Sequence, residues 1–217
     1  MGNDISSAEG VTCTAGVAGV LLAGGRSRRF GGGDKCLRAF GGGTLLGEAI
    51  ARLGPQVSPL VISANGDPAR FGRFGLPVVA DGSCDFSGPL AGILAGMEWA
   101  AAHAPASRWV VSVPGDTPFI PHDLVARLHA SVGGGAAAAA CVASGGRLHP
   151  VIGLWAVALA PALRRAMHSE GLRRAGVWVE RCRLAVVEYP AEPVDPFFNI
   201  NRPEDLRRAE RLVVPAA

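Results

Sequence analysis

A glycine-rich and strongly basic segment follows the first apolar run of the chain. In this segment, LLAGGRSRRFGGGDK (residues 21–35), Gly24 and Gly25 lack side chains, so backbone N–H groups can approach an anion closely there. The segment also carries four cationic side chains, Arg26, Arg28, Arg29 and Lys35. Glycines and cationic donors after a strand predict a polyphosphate-binding loop. A loop that is glycine-rich only for flexibility is the alternative.

The segment matches neither of two familiar nucleotide-binding motifs. A P-loop requires Gly-Lys-Ser/Thr, but Lys35 follows Asp34 and precedes Cys36. The G-x-G-x-x-G dinucleotide fingerprint is missing between Ala23 and Arg29. The sequence therefore argues against a P-loop NTPase and against a hydride-transferring dehydrogenase.

Two carboxylates each follow a short apolar run further along the chain. The turn PGDTP, which contains Asp116, comes directly after the run at 109–113, and Asp81 follows the run PVVA at 77–80. Magnesium takes oxygen ligands from one or two protein carboxylates together with substrate phosphates. Asp116 is therefore the candidate metal ligand and Asp81 a candidate ligand contact. An aspartate that only forms a turn or caps a helix is the alternative at both positions.

Three further polar side chains are candidates for ligand contact. Asn199 and Asn201 occupy alternate positions of an extended segment, so their amides are expected to point the same way. They could complete a metal shell or hydrogen-bond a phosphate, although capping of the following helix is the alternative for Asn201. His149 is interpreted as a structural histidine or a substrate contact rather than as a general base.

Apolar runs of strand length alternate with helical patterns, and Thr44 is a plausible helix N-cap. The predicted strands are 17–22, 59–64, 77–80, 109–113, 136–142, 151–155 and 183–188, and the predicted helices are 44–53, 88–103, 121–131, 160–168 and 203–213. Residues 136–142 favour helix by alanine content but strand by their flanking glycines. This alternation predicts right-handed βαβ units. The fold class is therefore α/β, a single-domain three-layer α/β/α protein with a mostly parallel, Rossmann-like sheet. Ligands bind such sheets outside the carboxyl ends of the strands.

Composition narrows the classes of function. The chain has 217 residues, of which 49% are apolar, and a formal net charge of +3. No block of like charges or aromatic-interleaved basic patch occurs, so no nucleic-acid partner is expected. The five cysteines form no C-x-x-C pair, which argues against a zinc site and for a reducing, cytoplasmic compartment. No apolar run is long enough to span a membrane. Residues 1–16 are predicted to be a flexible leader, and residues 17–214 the domain.

Five motifs, in this order, resemble the molybdenum cofactor guanylyltransferases. They are LAGGRSRRFGGGDK (22–35), GPLAGI (88–93), PGDTPFIPHDL (114–124), HP (149–150) and NINRPEDL (199–206). The resemblance covers residues 17–210, and the LAGG form resembles the GTP-using branch more than the CTP-using one. It implies a sheet of the nucleotide-diphospho-sugar transferase type. Phe30 stands where the family more often has Met, and Gly115 where it often has Cys.

The resemblance also implies a role for each candidate residue. Lys35 and Asp116 would be catalytic, with Lys35 on the phosphates and Asp116 on the metal. The nucleotide-binding set would be Leu22, Ala23, Gly24, Gly25, Arg26, Lys35, Asn65, Asp81 and Asp116, with Asn65 and Asp81 on the guanosine side. Three residues would lie near the pterin or the metal, namely His149, Asn199 and Asn201.

The implied reaction transfers GMP from GTP to the terminal phosphate of molybdenum-molybdopterin. Its products would be molybdopterin guanine dinucleotide cofactor and pyrophosphate, with Mg²⁺ or alternatively Mn²⁺ as cofactor. Other cofactor-biosynthesis proteins and acceptor apo-enzymes would be its protein partners. Three alternatives stay open: a molybdopterin cytidylyltransferase, another small-phosphate nucleotidyltransferase, and a non-catalytic nucleotide-binding regulator.

Overall fold

The structure, a computed structural model, describes residues 12–24, 34–81 and 88–213. Over these residues the strands are β1 (Val17–Leu22), β2 (Ala39–Phe40), β3 (Gly43–Thr44), β4 (Leu60–Ser63), β5 (Val78–Val79), β6 (Trp109–Pro114), β7 (Ala139–Ser144), β8 (Arg147–Ala156) and β9 (Leu184–Tyr189). The α-helices in the same part of the chain are α1 (Leu45–Leu53), α2 (Pro89–His103), α3 (Leu124–Val132), α4 (Ala160–Ser169), α5 (Ala175–Glu180) and α6 (Pro203–Val213).

Seven of the strands form one sheet in the order β5-β4-β1-β6-β8-β7-β9. Neighbours are parallel except at β8, which runs antiparallel to both β6 and β7. Successive β1 side chains point to opposite faces, so Val17 and Leu21 enter one apolar cluster with α1 and α3. Ala18 and Val20 enter the other, with α2, α4 and α5. The predicted three-layer α/β/α architecture with a mostly parallel sheet is confirmed.

Two glycines of helix α2 pack directly against side chains of β1. A Cβ atom added at Gly92 would lie 2.7 Å from Leu22 Cδ2, and one at Gly96 would lie 2.7 Å from Val20 Cβ. Both distances are shorter than a carbon–carbon contact, so these glycines permit the approach. The helix is thereby held against β1, the strand that leads into the glycine-rich segment.

Most predicted elements are present with small shifts in their ends. β1 and α6 have the predicted bounds, and Thr44 caps α1 by accepting a hydrogen bond from Gly47 N at 3.1 Å. The ambiguous alanine-rich run is the strand β7, as predicted. The helix predicted from Pro121 instead begins at Leu124, after a turn that contains Pro121 and Asp123.

Other elements differ from prediction or were not predicted. β8 begins at Arg147 rather than Val151, because it forms a hairpin with β7 across Gly145 and Gly146, both at positive φ. The β2–β3 hairpin, the 3₁₀ helix Pro68–Phe74 and the helix α5 were not predicted. Each is short or non-repetitive, so apolar periodicity does not detect it.

Residues 1–11 of the predicted leader lie outside the described part of the chain. Within that part, Thr14 N donates a hydrogen bond to Gln56 O at 2.9 Å, so the chain already contacts the domain before β1. The boundary at residue 16 stays a prediction. None of the helices in the described ranges is both long and apolar enough to cross a membrane.

Candidate active site

The carboxyl ends of β1 and β6 bring the loop containing Lys35 next to Asp116. The two strands are parallel neighbours, with Leu22 in register with Pro114. Gly115 N then donates to Leu22 O at 3.0 Å, which keeps the chain after β6 beside the end of β1. Parallel strands open their carboxyl ends at one edge of the sheet, the usual place for ligands in this architecture.

Lys35 is the last residue of the glycine-rich segment and begins a single 3₁₀ turn, Lys35–Leu37. The next residue, Cys36, is buried and anchors this turn beneath the site. Burial, followed by the nearby carboxylates of Asp34 and Asp116, raises the pKa of the Cys36 thiol to about 12. Cys36 is therefore a protonated packing residue, and Lys35 is the group that the turn presents to the site.

The ammonium group of Lys35 is held by three oxygen-bearing side chains. It forms an ion pair with Asp116 Oδ2 and donates to Asn201 Oδ1 at 2.8 Å. Asn199 Oδ1 lies 3.5 Å from the same nitrogen. The two asparagines therefore do point the same way, as their alternate spacing predicts.

Backbone contacts hold the asparagine segment against Asp116. Ile200 N donates to Asp116 O at 3.1 Å, and the Ile200 side chain is fully buried. At the start of α6, Asp205 Oδ2 accepts from the backbone nitrogens of Asn201 and Arg202 at 2.9 and 2.8 Å. These two bonds fix the backbone around Asn201, and the Asn201 side-chain oxygen accepts from Lys35 rather than from a helix N–H group.

Asp116 is a buried carboxylate that depends on a cation. The residue is 8% exposed. Burial raises the pKa of Asp116 above its ordinary value, and the Lys35 ammonium, with a hydrogen bond from Asn199, opposes this rise. Its second oxygen, Oδ1, is buried and accepts no hydrogen bond from any described residue. A buried acceptor left unpaired in this way is costly unless a ligand satisfies it.

The oxygens around Lys35 Nζ fit a hard divalent cation. One carboxylate and two amide oxygens already surround a positive charge here, and Asp116 Oδ1 lacks a hydrogen-bond partner among the described residues. No cluster of three or more His, Cys, Asp or Glu residues occurs within 12–24, 34–81 and 88–213. Magnesium suits such a site, since it uses few protein carboxylates and completes its shell with phosphates and water.

Asn65 and Asp81 form a second polar group, after β4 and β5 on the other side of β1 from Asp116. Asp81 N donates to Asn65 Oδ1 at 3.1 Å, so the two predicted guanosine-side residues are in direct contact. Asp81 Oδ1 is buried and has no hydrogen-bond partner in the described ranges. A carboxylate oxygen accepts hydrogen bonds only, so a donor such as an N–H or O–H group is the partner it lacks.

The remaining predicted nucleotide contacts lie at the end of β1. Leu22 is half-buried, Ala23 is buried, and Gly24 is exposed, with no atom of a described residue within 4 Å of where a Cβ would stand. A glycine without described neighbours at this strand end suits the close approach of a ligand. The predicted contacts Gly25 and Arg26 lie outside the described residues.

His149 lies at the same edge of the sheet and is held by two residues that the sequence analysis did not identify. Ser144 Oγ donates to Asp195 Oδ1 at 2.9 Å and lies 2.8 Å from His149 Nε2. Since the single Ser144 proton goes to the carboxylate, His149 donates its Nε2–H to Ser144. Burial lowers the pKa of His149, which favours the neutral ring. Asp195 also accepts from Phe197 N, on the segment that leads to Asn199.

This chain is similar to known proteins over most of its length. A model of the MobA-like NTP transferase domain matches residues 19–183. A molybdenum cofactor guanylyltransferase of Bradyrhizobium sp. (strain ORS 278) is 54% identical over 92% of this chain and 94% of its own length. The protein of the same name from Nitrobacter hamburgensis is 53% identical over 89% of this chain and 93% of its length.

Solved structures agree with the sequence relatives. Molybdopterin-guanine dinucleotide biosynthesis protein A from Archaeoglobus fulgidus superposes with a TM-score of 0.70 at 26% identity, covering 90% of this chain and 97% of its own. The manganese complex of Rv0371C from Mycobacterium tuberculosis has a TM-score of 0.62 at 20% identity over 90% and 98%, a likeness of fold alone. The chain therefore belongs to the MobA-like NTP transferase family, in common with the molybdenum cofactor guanylyltransferases that share half of its residues.

Proposed function

We propose that this nucleotidyltransferase transfers GMP from GTP to the terminal phosphate of molybdenum-molybdopterin. An oxygen of that phosphate attacks the α-phosphorus of GTP, and a new P–O bond forms. The bond from the α-phosphorus to the bridging oxygen breaks, and pyrophosphate leaves with the electron pair. The attacking phosphate is already ionised at neutral pH, so no general base is required.

One observation carries the proposal: Lys35, Asp116, Asn199 and Asn201 converge on a single cation position at the carboxyl edge of the sheet. Phosphoryl transfer needs positioned positive charge more than it needs covalent chemistry. Lys35 supplies that charge on a buried, well-anchored turn. Its partners keep the ammonium group pointed into the site until a polyphosphate replaces them.

Asp116 would hold the divalent cation, with Asn199 and Asn201 beside it. A bound Mg²⁺ or Mn²⁺ would neutralise the charge that develops on the phosphate oxygens. The chain itself fixes the orientation of Asp116, because the Ile200 N–H bond to Asp116 O ties the turn to the asparagine segment. Asp116 Oδ1 is buried and unpaired by any described residue, and a bound cation would satisfy it.

The nucleoside and the acceptor would lie on opposite sides of this centre. Asn65 and Asp81, with Leu22, Ala23 and Gly24, would bind the nucleotide. A guanine donor that meets the unpaired Asp81 oxygen would give the site a means of discriminating among bases. His149 with the asparagine segment would contact the pterin, and the loop residues Gly25 and Arg26 are proposed to contact the phosphates.

Pyrophosphate release tests the proposal. Folded protein is incubated with Mg²⁺ or Mn²⁺, molybdenum-molybdopterin, and GTP, CTP or ATP in parallel. We expect release with GTP only, and only when the pterin is present. Release with CTP instead would replace the proposal with the cytidylyltransferase. GTP binding without release would favour the regulator or a different acceptor, and would refute the reaction proposed here.

The proposed reaction also implies particular substrates, protein partners and a cellular compartment. GTP and a phosphorylated pterin are the small-molecule partners, and the reduced cysteines expected from the sequence suit the cytoplasm. Cofactor-biosynthesis proteins and acceptor apo-enzymes are the proposed protein partners, since the pterin product must be handed on. Co-purification with an apo-molybdoenzyme in the presence of substrates would test this part.

A further inference from the structure

Arg70 lies on the 3₁₀ helix Pro68–Phe74, between the two polar groups of the site. The Asp67 side chain starts this helix by accepting from Ala69 N at 2.9 Å, and Pro68 occupies the first helical position. The adjacent Phe71 is fully buried and anchors the helix in the core. The Arg70 guanidinium stacks over the Phe71 ring, 4.8 Å from its centroid. Arg70 therefore projects from a rigid base.

The guanidinium contacts both chain segments that border the nucleotide side of the site. Arg70 Nη2 donates to Asn65 O at 2.5 Å, and Nη1 donates to Asp67 O at 3.3 Å. On its other side, Arg70 Nε lies 2.7 Å from Asp34 Oδ2. This last contact is an ion pair rather than a directed hydrogen bond, since Nε has no hydrogen-bond partner of good geometry in the described ranges.

Gly66 leaves the space that the guanidinium occupies. A Cβ atom at Gly66 would lie 2.9 Å from Arg70 Nη1, closer than such atoms normally approach. The backbone of Gly66 also has a φ of +86°, which glycine adopts without strain. The backbone after β4 is thus shaped around Arg70.

Two of the residues that Arg70 contacts, Asn65 and Asp34, are next to proposed nucleotide contacts. On one side Asn65 holds Asp81 through the Asp81 N–H bond to Asn65 Oδ1. On the other side Asp34 is the chain neighbour of Lys35, which reaches Asp116. Arg70 thereby connects the nucleoside side of the site to the phosphate side.

We propose that Arg70 is a positioning residue that sets the distance between the Asn65–Asp81 pair and Lys35. The inference rests on the proposed function, since it takes these residues as nucleotide contacts. A guanidinium suits this task because its planar fork donates to two carbonyls while its charge pairs with a carboxylate. A nucleoside triphosphate must span both sides, so losing the connection weakens its binding and misplaces Lys35.

The contacts predict a different defect for each of three substitutions. Arg70→Met releases both sides, so the Kd for GTP rises about tenfold and kcat falls by a similar factor. Asp34→Asn releases only the Lys35 side, so kcat falls while the Kd stays near that of the wild type. Arg70→Lys keeps a charge opposite Asp34 but cannot bond both carbonyls as well. It therefore restores kcat and leaves the Kd raised.

The matched control is Arg73→Met on the same 3₁₀ helix. Arg73 is exposed and lies over the Phe74 ring, 4.9 Å from its centroid, with no ion pair to any described residue. It tests whether the loss of one positive charge on this helix is itself sufficient to weaken GTP binding. Kd for GTP with Mg²⁺ is measured by calorimetry without the pterin, kcat by pyrophosphate release, and folding by thermal unfolding.

The outcomes separate this inference from the proposed function. Unchanged Kd and kcat in Arg70→Met, in a wild type that binds GTP and turns over, would overturn the inference alone. Equal defects in Arg70→Met and Arg73→Met would also overturn it, because bulk charge would then suffice. If Arg70→Met does not fold, the other two variants test the inference. Lowered kcat with unchanged Kd in Asp34→Asn, and raised Kd with unchanged kcat in Arg70→Lys, would support it, and any other pair of results would overturn it. A wild type that binds no GTP would refute the proposed function first.

Discussion

The ion pair between Lys35 and Asp116 is expected to contribute both to the free energy of unfolding and to the rate of catalysis, and substitutions can measure the two contributions separately. Lys35→Met removes the ammonium group but keeps a side chain of similar length. It leaves the buried Asp116 carboxylate with amide neighbours and no ion-pair partner among the described residues. An uncompensated buried charge is destabilising, so this variant is expected to be less stable as well as less active.

The burial of the pair sets the expected size of the stability loss. Removing one partner of a buried ion pair costs about 3–5 kcal/mol. The Lys35 and Asp116 side chains are 17% and 12% exposed, so water screens them only slightly, and we expect about 3 kcal/mol. For a domain of about 200 residues this corresponds to a fall in Tm of about 6–12 °C.

A second substitution tests the cause. Asp116→Asn, added to Lys35→Met, removes the unpaired charge and should recover about 2 kcal/mol of the loss. Catalysis should not recover, since the phosphate contact and the metal ligand are both gone. Lys35→Met alone should lower kcat by about 10²-fold, as expected for one preorganised charge donor. Urea unfolding and pyrophosphate release measure the two quantities on the same samples.

The exposed ion pair of Arg164 with Glu98 supplies the control. These side chains are 54% and 34% exposed, and exposed pairs contribute less than about 1 kcal/mol, so Arg164→Met should change stability little. Equal losses in Lys35→Met and Arg164→Met would show that burial does not set the cost. A further loss on adding Asp116→Asn would refute the argument that the carboxylate is the source of the instability.

Three more predictions follow from individual contacts. Asp116→Asn alone should lower the rate of pyrophosphate release by at least about 10³-fold and weaken Mn²⁺ binding in the presence of GTP, measured by electron paramagnetic resonance; full activity would remove Asp116 from the metal site. Gly96→Ala should lower the free energy of unfolding by about 1–3 kcal/mol in urea, because its Cβ would meet Val20 at 2.7 Å, whereas Gly72→Ala has nothing within 4 Å and should be tolerated. Burial lowers the pKa of His149 in the folded state below its ordinary 6.5, so the unfolded chain binds the proton first, and stability should fall as pH drops below that value. Unfolding free energies at two pH values should then show a smaller acid loss in His149→Gln than in the wild type, and an equal loss would contradict the assignment.

Local signals in the sequence account for the elements that were predicted correctly. Thr44 before an amphipathic run indicates the start of α1, and the run at 17–22 with glycines after it indicates a buried strand that ends in a loop. A signal for the missed 3₁₀ helix was also present, since Asp67 before Pro68 is a helix-start pattern. The Gly145–Gly146 pair between two apolar runs likewise indicates a tight hairpin, and therefore an antiparallel strand.

The contacts of the site depend on residues that are far apart in the chain. Lys35 bonds Asn199 and Asn201, which are 164 and 166 positions away. Arg70, in the segment after β4, forms an ion pair with Asp34, in the segment after β1. Nothing in the sequence around either residue indicates that the other is its partner. Ser144 and Asp195, which hold His149, are ordinary surface residue types whose importance comes only from their contact.

The sequence by itself determined which chemical groups this protein has and on which edge of a sheet they gather. Strand periodicity and the order of the elements are local properties, and the carboxyl ends of parallel strands meet by topology alone. Only the tertiary structure decided that Lys35 pairs with Asp116, that the Asn201 side chain accepts from Lys35, and that Arg70 connects the two sides of the site. These contacts depend on how distant parts of the chain pack together. Packing decides which charged groups are removed from water, and a charged group removed from water is stable only beside a partner.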